Sequence, residues 1–186
     1  MLRNTESSYG SLHRAFHWIM AIAIICMIFV GRYIHGLDAD NPAEAPTKLA
    51  LGALHKASGM VLLLLVALRT LWVFSGPRPG LPDSVPRWQR IAAKSLHHTF
   101  YLLMFAIPIS GYVMTSHAQK PVSMYGLFDL PMLFDVQDFA KAKEVFEVHE
   151  TLGEILLVLI VAHLIIALKH HFYDKDTILR RMLKGN

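Results

Sequence analysis

Residues 149–168 read HETLGEILLVLIVAHLIIAL, an apolar run that opens on one histidine and carries another, His163, close to its end. A bilayer's hydrocarbon core of about 30 Å is crossed by roughly 20 helical residues, so this stretch reads as a transmembrane helix. His163 lies between Val161-Ala162 and Leu164-Ile165, where no water is expected. An ionisable side chain at that depth costs about 2–3 kcal/mol even on lenient insertion scales, and so asks for a reason. His149 lies 14 positions earlier. At 100° and 1.5 Å per residue the two imidazoles fall within roughly 40° of one helix face and about 21 Å apart. One helix thereby carries a histidine toward each membrane surface.

Working outward, three more stretches are long and apolar enough to span: 16–33, 49–74 and 96–116, with the last span at 148–168. The chain is 54% hydrophobic and 17% charged, more apolar surface than a soluble domain of 186 residues could bury. The fold class expected is all-α, a transmembrane four-helix bundle forming one domain over 1–186. Arg3 and Arg14 precede the first apolar run as they would in a secretory signal, but Gly31-Arg32-Tyr33 follows it without a small-x-small cleavage pattern. It reads as a retained helix. The single cysteine, Cys26, excludes an intramolecular disulfide and a thiolate-held cluster.

Lys and Arg in short loops resist translocation. Arg3 and Arg14, the loop after the second span (Arg78, Arg87, Arg90, Lys94) and the C-terminal segment (Lys169, Lys175, Arg180, Arg181, Lys184) hold most of the 18 basic residues. The other two loops carry Asp38, Asp40 and Glu44, and Asp129, Asp135, Asp138, Glu144 and Glu147. Both termini are therefore expected on the cytoplasmic side of a bacterial inner membrane. Residues 77–86, PRPGLPDSVP, cannot be helical, because proline lacks the amide donor and biases its predecessor toward extended geometry. In the long outer loop, 124–128 (MYGLF) is apolar enough to lie in the interface and cover the bundle, and from about residue 136 the pattern turns helical.

Each histidine of the last span needs a partner at its own depth. His55 lies within the first two turns of the second span, level with His149, and His17 opens the first span, roughly level with His163. Two facing imidazoles can fill both axial positions of a haem iron, so His17, His55, His149 and His163 are the expected ligands of two b-type haems. Gly59 and Gly153 each lie four positions after a ligand, on the same helix face, where a flat macrocycle needs a gap; the same glycines would also suit close helix packing. Haem propionates call for cations, and the candidates are Arg14, Arg69 and Lys169 at the inner end and Lys56 at the outer. His97 and His98 open the third span and compete with His17 as inner ligands; they point about 100° apart, so only one can face the bundle, and it is expected beside a ligand or near a substrate, with a headgroup-facing role as the alternative. His35, His117, His170 and His171 are expected to be solvated or to meet headgroups. A haem-free transporter, using the same histidines for a divalent metal or protons, stays open at this point.

The pattern resembles the bacterial cytochrome b561 family over essentially the whole chain. The likeness is carried by His17-Trp18, His55, His97 with Tyr101, Pro108 and Gly111, His149-Glu150-Thr151-Leu152 with His163, and the tail His170-His171-Phe172-Tyr173-Asp174-Lys175-Asp176 running on to Arg180-Arg181-Met182. The resemblance implies a quinone-linked electron carrier, with superoxide to ubiquinone electron transfer as one activity and a di-haem anchor for a periplasmic dehydrogenase or hydrogenase as another. It carries over the ligand set His17, His55, His149 and His163. Ubiquinone, superoxide and membrane lipid are the partners implied, a homodimer is compatible with lipid-facing small residues, and no nucleic-acid partner is expected. No catalytic residue is assigned.

Overall fold

The computed structural model describes residues 1–77, 79–81 and 85–185. Four long helices dominate: α1 (Ser11–Gly36), α2 (Ala45–Phe74), α3 (Arg87–His117) and α4 (Phe139–Lys169). A π-helical turn, His170–Asp174, continues α4 and leads to the short α5, Ile178–Leu183. Among the described residues no strand forms, only a single antiparallel bridge between Ser123 and Asp129.

The helix ends follow local chemistry. A proline sits in the first turn of α2, where its missing N–H is no loss. Asp138 caps α4 by accepting from the Lys141 amide at 2.9 Å. Lys175, in the left-handed region at φ 54°, turns the chain after the π-helical turn. Each long helix contains its expected span and extends beyond it at one end or both: α3 begins at Arg87 and α4 at Phe139. The described part of the 77–86 connector is non-helical, as its prolines require, and the remainder of that expectation lies outside the described residues.

Helices adjacent in sequence pack against one another, α3 with α4 most extensively, and α1 meets α4 more loosely. The result is an up-down-up-down bundle whose loosest seam is between its first and last helices. Ile19, Ile22, Phe29, Leu64, Leu71, Leu102, Val158, Leu164 and Ile165 face outward, the arrangement a lipid solvent favours. All four helices are long and apolar enough to cross a membrane. The buried apolar side chains are few, with Met20, Ala57, Val66, Leu103 and Leu156 prominent, and much of the remaining interior is lined by imidazoles.

An even number of spans brings both termini to one end. There α5 is strapped to the N-terminal segment: Arg14 Nη1 donates to the Leu183 carbonyl at 2.7 Å, Trp18 Nε1 to the Met182 carbonyl at 3.0 Å, and Arg181 to the carbonyls of Ser7 and Gly80, each at 2.8 Å. Burial pushes the Tyr9 phenol in this strap up from its ordinary value, against the pull of Arg181. At the opposite end Tyr125 of the long loop pairs with Ser58 at 3.0 Å, and Tyr112 donates to the Pro131 carbonyl, which ties the loop across α2 and α3. One expectation is corrected. His170 is not solvated: it is 8% exposed, with Nδ1 2.6 Å from Asp176 and 3.0 Å from Asp174, because the π-helical turn folds those carboxylates back onto the ring.

Candidate functional site

Two pairs of imidazoles face each other inside the bundle. His55 on α2 and His149 on α4 have ring centroids 6.3 Å apart, and His17 on α1 and His163 on α4 have centroids 6.4 Å apart. A metal–imidazole bond is about 2 Å and the ring centre lies about 1 Å behind the nitrogen, so two imidazoles trans on one metal stand roughly 6 Å apart, centre to centre. Both pairs have the spacing that a shared iron requires.

The outer pair is set by two glycines that lie on neither ligand helix. A Cβ on Gly31 of α1 would meet His55 Cε1 at 3.1 Å, and a Cβ on Gly111 of α3 would meet His149 Cε1 at 3.1 Å. Each ring therefore packs directly on a neighbouring backbone. His149 Nδ1 lies 2.9 Å from the Ile107 carbonyl and 3.1 Å from Ser110 Oγ. Donation from Nδ1 to that carbonyl fixes the tautomer that leaves Nε2 free to ligate. His55 Nδ1 is buried without a partner.

At the inner pair, Arg69 Nη2 lies 3.5 Å from His17 Nδ1, Nη1 lies 3.9 Å from Met20 Sδ, and the guanidinium stands 6.0 Å from the Tyr101 ring centre. Arg69 thus points into the bundle rather than out to the headgroups, and its buried Nε has no partner, a vacancy in its hydrogen bonding that suits an anionic group such as a propionate. His163 also faces His97, with centroids 6.0 Å apart, and Phe100 at 5.5 Å. Spacing alone leaves His17 and His97 equivalent as partners of His163. Of the two adjacent histidines it is His97 whose ring turns toward His163.

The other sequence candidates are spread over the ends. Arg14 is held by the tail carbonyl of Leu183, Lys56 donates to the Pro121 carbonyl at 2.9 Å, and Lys169 pairs with Asp174 at 2.7 Å. A Cβ on Gly153 would meet nothing within 4 Å, and one on Gly59 only Met27 Cε at 3.8 Å, so both face room rather than a packed neighbour. The helix contacts that sequence reasoning missed are Gly31, Ser110 and the Ile107 carbonyl. Gly31 gives no signal in its own span, because the ring it accommodates belongs to another helix.

Four histidines converge at two depths, with spacing, orphaned donors and a buried cation that all fit a ligated macrocycle. The family model for prokaryotic cytochrome b561 matches residues 8–185. Cytochrome b561 homolog 2 of Escherichia coli is 39% identical, over 97% of this chain and 93% of its own length. A probable superoxide oxidase CybB of Yersinia pestis is 26% identical over 96% of this chain and 97% of its own. A probable Ni/Fe-hydrogenase B-type cytochrome subunit of Rhizobium leguminosarum is 23% identical over 98% and 89%. Matched from end to end, this chain belongs to the prokaryotic cytochrome b561 family, the multi-pass membrane proteins that bind b-type haem and transfer electrons.

Proposed function

We propose that the protein is a di-haem electron carrier of the bacterial inner membrane that exchanges electrons with the quinone pool. The observation that supports this best is the pair of His–His spacings, 6.3 and 6.4 Å, one at each depth of the bundle. In this reading His55 and His149 hold the outer haem and His17 and His163 the inner. When bound, the group supplies reversible one-electron exchange at its iron. With two imidazoles engaged at each centre, the group would exchange electrons rather than bind oxygen or superoxide. His149 is aimed by Ile107 and Ser110, and Arg69 is the cation placed to hold a propionate at the inner end, with Gly59 and Gly153 leaving room beside the macrocycles. Arg14 and Lys56 reach an anionic edge only by leaving the carbonyls they now hold. The basic end of the bundle, with both termini, faces the cytoplasm by the positive-inside rule.

The donor we favour is superoxide at the outer end, in line with the Yersinia relative named a probable superoxide oxidase, and the acceptor we favour is ubiquinone. The outer loops are acidic overall, but Lys48 and Lys56 stand near the outer pair, pinned to the carbonyls of Leu37 and Pro121, and supply a local positive edge to steer an anion. An anchor role for a periplasmic redox enzyme is the second reading, supported by the hydrogenase-subunit relative.

The test is the dithionite-reduced minus oxidised spectrum of the purified protein with pyridine haemochrome quantitation. Two low-spin b-type haems per chain are expected, and His163→Ala should lose the inner one and keep most of the outer. Loss of neither would sink the ligand assignment. Superoxide-dependent ubiquinone reduction by the isolated protein supports the first donor; copurification with a large periplasmic enzyme, and no such activity, supports the second.

A further inference from the structure

The two imidazole pairs are surrounded by groups of opposite character. At the outer pair, His149 Nδ1 faces two acceptors, the Ile107 carbonyl at 2.9 Å and Ser110 Oγ at 3.1 Å. A ring that donates in this way becomes a more electron-rich ligand at its other nitrogen. The charged groups of this end stand off the rings or beside carboxylates: Arg32 is paired with Glu154 at 2.8 Å, Glu150 follows His149 in sequence, and Lys56, next to His55 in the chain, donates to the loop carbonyl of Pro121.

The inner pair has the reverse arrangement. His17 Nδ1 faces Arg69 Nη2 at 3.5 Å. A guanidinium has five donors, no acceptor and a permanent charge, so it cannot receive a proton from the ring and presents a full positive charge beside it. The other groups around Arg69 are Met20 and the face of Tyr101, neither of them an acid. An electron-rich axial ligand stabilises ferric iron, and a neighbouring cation in a low-dielectric interior destabilises it.

We infer that the chain poises its two centres unequally, the inner at the higher reduction potential, and that the Arg69 guanidinium beside His17 sets the difference. The inference rests on the two-haem reading above. A single electron shared between the two centres would then reside at the inner one, with no proton moved. Electron flow is thereby biased from the outer surface toward the inner. A propionate drawn to Arg69 would cancel part of its charge, and the shift in the Arg69→Gln variant measures what remains.

Spectroelectrochemical titration of the holoprotein and four variants tests this. His17→Ala should keep only the low-potential component and His55→Ala only the high one. Arg69→Gln should lower the high component by at least a tenfold change in its one-electron equilibrium constant, about 59 mV, and leave the low one in place. Arg69→Lys should restore most of the shift, which a merely structural role would not require. An unmoved high component in haem-replete Arg69→Gln overturns the inference. If that variant sheds its inner haem, the two single-haem variants decide alone: the reverse order of potentials overturns the inference, and the stated order supports it. Failure of the underlying reading looks different, since then neither histidine variant would lose a haem.

Discussion

A branched side chain at Gly111 has nowhere to go, because its first carbon already stands 3.1 Å from His149 Cε1 and 3.3 Å from Nδ1. Gly111→Val should therefore displace the imidazole from the Ile107 carbonyl and cut outer-haem content by more than half, measured as haem per folded chain. Gly52→Val, where a Cβ meets nothing within 4 Å, should keep the full complement. Gly31→Val should behave like Gly111→Val, through His55. Both close-approach glycines are hard to find from sequence, because a glycine's reason for existing is a ring carried by another helix. Gly59 and Gly153 stand out instead, since their spacing from a histidine is visible along one helix; the structure gives them room, not contact. His163 and His149 are legible for the opposite reason, as a polar group in an apolar run announces its own cost. Arg69 is half legible: its position in an apolar run is plain, whereas its turn inward toward His17 depends on which face α2 presents.

Among the helices, the α1–α4 seam has the least packing and carries a two-bond ion pair, Arg32 with both carboxylate oxygens of Glu154 at 2.9 and 2.8 Å. Both side chains are about half exposed, so in water the pair would be worth little, but on a face that meets hydrocarbon an unpartnered charge is costly. Glu154→Gln alone should destabilise the bundle more than the double variant Arg32→Gln/Glu154→Gln, and thermal melts in detergent and in lipid would show the non-additivity. Equal or additive losses would mean that the pair is solvated. The C-terminal strap is the second element with a measurable share. Deleting α5 leaves Arg14 and Trp18 without their tail carbonyls and removes the bonds of Arg181 to Ser7 and Gly80, four hydrogen bonds of about 1 kcal/mol each. For a chain of this size that lowers Tm by roughly 8–16 °C. The strap itself is invisible to periodicity: α5 has six residues, too few to stand alone, and exists because the His170 turn delivers it to the N-terminal segment.

At the scale of the whole molecule, a reporter fused to either end should give one answer. Green fluorescent protein at the C-terminus should fluoresce and alkaline phosphatase there should be inactive; the opposite pair of results would place the basic end outside. Four spans and their order follow from the sequence alone, because hydrocarbon imposes length and apolarity on each helix whatever its neighbours are. The candidate histidines follow from it as well, since burying them has a cost that each span shows by itself. What each helix turns toward the others was decided only in the tertiary structure: the second imidazole within reach of a first, the glycine beneath each outer ring, the carbonyl that aims His149, the guanidinium beside His17. Those relations depend on the rotation and depth of whole helices in a packed bundle, and lipid, being equally apolar on every side, leaves no trace of that rotation in the residues that face it.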